Sequence, residues 1–110
     1  MKTISEPMRA NADAASELLK ALANRHRLLI LCHLVEGERS VGELAQFLGI
    51  RDSAVSQHLA VLRRDGVVAA RREGQTIWYS ISSAPARAVI ETLYRVYCGA
   101  AGSAPQARRR

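Results

Sequence analysis

The chain has 110 residues, 48% of them hydrophobic and 24% charged, which suits one soluble domain with a modest core. Sixteen Lys and Arg against ten Asp and Glu leave a formal charge of +6, a balance that favours a polyanionic partner. No apolar run approaches the ~20 residues that cross a bilayer, and Met1 to Pro7 lacks the apolar centre of a signal peptide. The expectation is a cytoplasmic protein with no membrane partner. In a reducing compartment its two cysteines are reactive, metal-binding or inert rather than a permanent staple.

In chain order, residues 1–7 read as a disordered start. A helix follows from about Met8 to Leu22, with Ala14, Ala15, Leu18, Leu19 and Leu22 on one stripe. Asn24 is placed to cap a second helix that runs to about Val35 and stops at Gly37. Its stripe is Leu28, Leu31, Cys32 and Val35. Ser40 and Glu43 have capping-box spacing and open a third helix that ends near Gly49. Asp52 or Ser53 is expected to cap a fourth, which Gly66 stops. Two strands are expected over 67–72 and 76–81, turning at Gly74, with Ile77, Tyr79 and Ile81 alternating against Trp78 and Ser80. A last helix over 84–97 carries Pro85 in its first turn and the stripe Ala86, Val89, Ile90, Leu93 and Tyr97. Residues 99–110, ending in Arg108-Arg109-Arg110, read as a disordered basic tail.

The order is α-α-α-α-β-β-α. It is a mainly α chain with one β-hairpin, and residues 8–98 form the single folded domain. Helices three and four are joined by about four residues, which suits a helix-turn-helix, and the hairpin after them supplies a wing.

The fourth helix carries the chemistry. At about 100° per residue, Val55, Leu59 and Leu62 share a core-facing side. Ser53, Gln57, Ala60 and Arg64 fall opposite, with Ser56 and Arg63 on a flank. Short polar side chains at the start of such a helix let its backbone enter a major groove closely. Ser can bond bases or phosphates, and Gln can pair with an adenine edge. Arg71 and Arg72 on the hairpin are placed for phosphates or a minor groove. Taken singly, each of these residues reads as ordinary solvated surface. Their order along the chain points to double-stranded DNA. His58 has two readings, a phosphate contact or a brace on helix three. No phosphate loop, carboxylate pair or Ser-His-Asp set is present, so no enzyme is expected, and no cofactor.

Two segments carry a family resemblance. Glu17-Leu-Leu-Lys-Ala-Leu-Ala-Asn-Arg-His-Arg-Leu-Leu-Ile30 and Ser53-Ala-Val-Ser-Gln-His-Leu-Ala-Val-Leu-Arg-Arg-Asp-Gly66 resemble the ArsR family of bacterial winged-helix repressors, over roughly residues 14–98. The resemblance implies a homodimer formed by the first and last helices, and a repressor released from its operator by an inducer.

Metal-sensing members place thiols on helix three or Asp and His pairs on the last helix. Here Val41 to Leu48 has no cysteine, and the last helix has Glu91 alone and no His. His26, Cys32 and His33 do not converge on one helix face. No metal site of those types is expected. Cys32, on an apolar stripe, reads as a small core residue. Cys98, at the end of the last helix near Arg95, reads as partly accessible. One cysteine in helix two and one at the end of the last helix are similar to the persulfide-sensing branch of the family, of the BigR and SqrR type. That similarity implies a redox switch in which reactive sulfur species join Cys32 to Cys98 by a disulfide or polysulfide bridge. An atypical metal-responsive site and a general oxidant sensor stand beside it as alternatives.

Overall fold

Asn24 sets the first corner of the molecule. Its backbone is extended, and its side-chain oxygen accepts the N–H groups of His26 and Arg27, as the sequence leads one to expect. In the computed structural model, which describes residues 2–99, it separates α1 (Lys2–Leu22) from α2 (Arg25–Val35). Arg27 completes the corner by donating from Nε to the Ala21 carbonyl at 2.6 Å, so it caps the end of α1 as α2 begins.

α1 begins at Lys2, not near Met8, and carries Pro7 inside it. This corrects the expectation of a disordered start over residues 2–7. Pro7 is the sixth helical residue, past the first turn, so the helix runs on there with one ladder hydrogen bond missing. The basic tail lies outside the described residues, save Gly99, whose N–H closes the last helix onto Arg95.

After Gly37 the chain makes a two-residue strand, β1 (Arg39–Ser40), that the sequence did not signal. Ser40 then caps α3 (Val41–Leu48) in a full capping box with Glu43, and Gly49 closes it in the left-handed conformation (φ 70°). α4 (Asp52–Arg64) is capped by Arg51 without a side-chain hydrogen bond. Neither Asp52 nor Ser53 is the cap. Asp52 is the first helical residue, where its charge favours the helix dipole.

β2 (Val68–Glu73) and β3 (Thr76–Ile81) form the hairpin, and α5 (Ala84–Cys98) closes the fold. Val67 stays out of the ladder as an amide donor because its N–H bonds the Leu62 carbonyl and ends α4. The sheet is antiparallel in the order β1-β3-β2, with Ser40 opposite Trp78 and Trp78 opposite Arg71. β3 is therefore the central strand. Trp78 and Ser80 are half-buried like Ile77 and Tyr79, so the expected two-faced alternation is blurred.

The core gathers on α2. Ile30, Leu31 and Leu34 are fully buried, with Leu44 from α3, Val55, Leu59 and Leu62 from α4, Val67 and Val68, Ile81, and Ala86 and Ile90 from α5. Of the expected α2 stripe only Leu31 is fully buried. α2 contacts α1, α3, α4, α5 and β3, so its buried arc is wider than one stripe and includes Ile30 and Leu34. The terminal helices behave differently. Leu19 is 56% exposed and Tyr97 81%, although both lie on apolar stripes.

Two substitutions separate the corner from the core. Asn24→Ala should cost about 1 kcal/mol, the usual worth of an N-cap. Leu59→Ala should cost about 2–5 kcal/mol, because its site is closed on all sides. Denaturant unfolding at fixed protein concentration measures both, and a larger loss for Asn24→Ala than for Leu59→Ala would contradict this account.

Candidate nucleic-acid interface and thiol pocket

Val55, Leu59 and Leu62 anchor α4 on the core, and that fixes what faces outward. Ser53, Ser56, Gln57, Ala60, Arg63 and Arg64 are all exposed. They form one continuous polar face that begins at the helix N-terminus. Arg64 leans on Asp65 (Nε to Oδ1 3.3 Å), which leaves Arg63 the cation of that helix end with no ion pair among the described residues.

His58 does not join that face fully. It is half-buried, and its ring tilts against that of His26 on α2 at a centroid distance of 5.6 Å. Burial lowers its pKa, and the nearby Arg27 and His26 push the same way. The lowered pKa favours the neutral ring, and the contact with His26 makes His58 a brace between α2 and α4. The brace is on α2, not on helix three.

Another contact chain fixes α3. Phe47 stacks on His33 of α2 at 4.4 Å, and the Arg39 guanidinium sits 5.8 Å from the centre of the Phe47 ring. No local pattern announces this cluster, since the three residues belong to three elements.

On the wing, Arg71 and Arg72 are adjacent in β2 and so point to opposite faces. Arg71 is already paired. Its Nη2 and Nε donate to the two carboxylate oxygens of Glu38 at 2.7 and 3.0 Å, and its Nη1 donates to Glu73 at 3.2 Å. The free reach expected of Arg71 is thus not what the structure shows. Arg72 is exposed and has no ion pair among the described residues.

The two thiols come together. Cys32 on α2 and Cys98 at the end of α5 are both free and half-buried. They line one cavity of about 350 Å³, walled by Leu28, Ile90 and Leu93, with Tyr94 and the exposed Tyr97 beside Cys98. Among the described residues no charged side chain lines it. Burial pushes the Cys32 thiol above its ordinary value, and the charges of Cys98 and Glu36 add to the effect. Among the described residues, no three His, Cys, Asp or Glu side chains converge in a way that could hold a metal ion.

Comparison with known proteins accords with this geometry. Residues 24–70 match the profile of the bacterial regulatory proteins of the arsR family. The chain is 53% identical to the transcriptional activator HlyU of Vibrio cholerae, over 86% of this chain and 88% of HlyU. It is 43% identical to the biofilm growth-associated repressor of Xylella fastidiosa, over 84% of this chain and 82% of that protein. The solved structure of reduced HlyU from Vibrio cholerae superposes with a TM-score of 0.81, covering 84% of this chain and 98% of that one. The Xylella fastidiosa repressor BigR superposes with a TM-score of 0.80 at 42% identity, over 86% and 97% of the two chains. With its winged helix-turn-helix, its exposed α4 face and these relatives, the chain belongs to the arsR family of bacterial regulatory proteins and is a transcriptional regulator, not an enzyme.

Proposed function

We propose that the protein is a homodimeric repressor that leaves its operator when reactive sulfur species bridge Cys32 and Cys98. The observation that carries this reading is the apolar cavity that both thiols line. Among the described residues its two sulfurs have no third His, Cys, Asp or Glu beside them to complete a metal site, while soft sulfur species are at home between apolar walls.

The dimer follows from surfaces left uncovered in one chain. Met8 and Leu19 on α1, and Tyr94, Val96 and Tyr97 on α5, are large apolar side chains open to solvent. A second copy that covers these helices removes that exposure. Two α4 helices then enter successive major grooves of an inverted repeat, with half-sites about one helical turn apart. In this reading Ser53, Ser56 and Gln57 meet bases, and Arg63 and Arg64 meet phosphates.

The switch chemistry balances with persulfide (RSSH) as the oxidant. Each cysteine thiolate attacks the outer sulfur of one RSSH, gains it, and releases RS⁻, which takes up a proton. The terminal sulfur of one cysteine persulfide then attacks the Sγ of the other, and HS⁻ leaves. Two thiols and two RSSH give a trisulfide, with one sulfur inserted between the Sγ atoms of Cys32 and Cys98, together with two RSH and one hydrogen sulfide. The bridge ties α5, the dimer helix, to α2 at the centre of the domain, and so biases the dimer away from its operator geometry.

The reading is tested first on DNA, using a duplex that the wild-type protein selects from a randomised pool. Gln57→Ala should weaken binding and flatten base preference at one position of each half-site, by about 1–3 kcal/mol of discrimination. Unchanged preference would remove α4 as the reader.

The switch is tested on single-thiol variants. Cys32→Ser and Cys98→Ser should each bind the duplex as the parent does, and neither should let go on addition of polysulfide. Intact mass of the treated parent should rise by one sulfur less two hydrogens. Release of either variant at the parent's polysulfide concentration would overturn the mechanism, and release by stoichiometric zinc would favour a metal sensor.

The raised Cys32 thiol sets a pH dependence. The thiolate is the attacking form, and Cys32 holds its proton to higher pH than an ordinary thiol of about 8.5. Bridge formation by wild-type protein should therefore keep accelerating as pH rises past that value. A rate that levels off below it, read by quenched-flow mass analysis, would show that Cys32 ionisation does not limit the bridge.

A further inference from the structure

We propose that Glu38 and Arg71 form a clamp that fixes the pose of the wing on DNA, and that Arg72 supplies the wing's phosphate contact. Glu38 and Arg71 are positioning residues in this scheme, and the scheme rests on the DNA-binding reading above.

The two residues are 33 positions apart in sequence and meet through a two-point ion pair. Glu38 lies in the segment that leaves α2 for β1, and Arg71 lies on β2, at the far side of the sheet from β1. The pair therefore reaches across the central strand β3 and ties the outer strand of the hairpin to the body of the domain. Such a fork on a carboxylate fixes orientation as well as distance. A partly exposed pair adds little to stability, and both side chains here are partly exposed, at 51% and 37%. Geometry, not folding energy, is what the pair contributes.

Charge bears on the second half of the proposal. Glu38, Arg71 and Glu73 together carry one net negative charge, and every guanidinium nitrogen of Arg71 already meets a carboxylate oxygen. Two bare carboxylates on a wing would repel phosphate. Arg71 offsets them and has little charge left to offer DNA. Arg72, on the opposite face of β2, has no such engagement among the described residues.

The reporter is built in. Trp78 is the chain's single tryptophan and is the direct cross-strand partner of Arg71. Its emission reads the clamp in the free, reduced protein without DNA.

The experiment measures anisotropy of the selected duplex against salt for the reduced full-length protein and for Glu38→Gln, Arg71→Gln, Arg72→Gln and the Glu38→Gln/Arg71→Gln pair. Breaking the clamp should weaken binding about two- to fivefold, the scale of a partly exposed ion pair. The salt slope should stay at the parent's value, and the double variant should be no weaker than either single one. Trp78 emission should shift to the red in both single variants. Arg72→Gln should instead lower the salt slope by about one and leave Trp78 unchanged. The proposal falls if Arg71→Gln lowers the salt slope by about one, if Glu38→Gln binds as tightly as the parent or more tightly, or if Trp78 does not respond to either clamp variant. If the wild-type protein selects no duplex at all, the DNA-binding reading fails and the proposal with it. If it selects one and Glu38→Gln matches it, the proposal alone fails.

Discussion

The burial of α2 is the constraint on which the rest of the structure depends. Ile30, Leu31 and Leu34 are sealed between four other helices and the central strand. Much of the candidate site is placed by reference to this helix. α4 lies on it, and the polar face of α4 is what remains once Val55, Leu59 and Leu62 have been committed to the core. His58 braces α4 to it through His26. α3 is fixed to its end by the stack of Phe47 on His33. Cys32 sits on the side that meets α5. A fully packed helix of this kind moves as a body or not at all, because protein interiors have no slack to absorb a shift.

The parts legible in the sequence are those whose signals are local. The capping box at Ser40 and Glu43, the stops at Gly49 and Gly66, and the spacing of Val55, Leu59 and Leu62 all lie within one turn or two of what they determine. They suffice to place the polar face of α4. Other features are hidden for physical reasons. β1 is two residues long and exists because β3 is beside it, so no periodicity can announce it. The α2 stripe read from spacing is too narrow, since a helix packed on several sides carries apolar residues that a single stripe leaves out. Arg71 reads as free because its partner Glu38 is remote in sequence. Leu19 and Tyr97 read as core because an apolar stripe gives the same pattern whether its cover is the same chain or another.

In the thiol pocket the surroundings act on Cys32. A buried thiol in apolar walls is held protonated, and it is correspondingly slow to react with a passing oxidant. Cys98 stands at a helix end beside the exposed Tyr97. Both thiols are half-buried, and the described walls leave sulfur to meet mainly sulfur and carbon. The departures from metal-sensing members of the family point the same way, since neither α3 nor α5 carries the ligands those sensors use.

β1 has a mechanical meaning. Because Arg39 and Ser40 are hydrogen-bonded into the same sheet as the hairpin, the segment that leaves the cysteine-bearing helix is itself part of the wing. Glu36, Gly37 and Glu38 stand between them, and of these Gly37 has the backbone open enough to swivel (φ 150°). A displacement of α2 would therefore reach the hairpin through three residues and a shared sheet, unless Gly37 took it up.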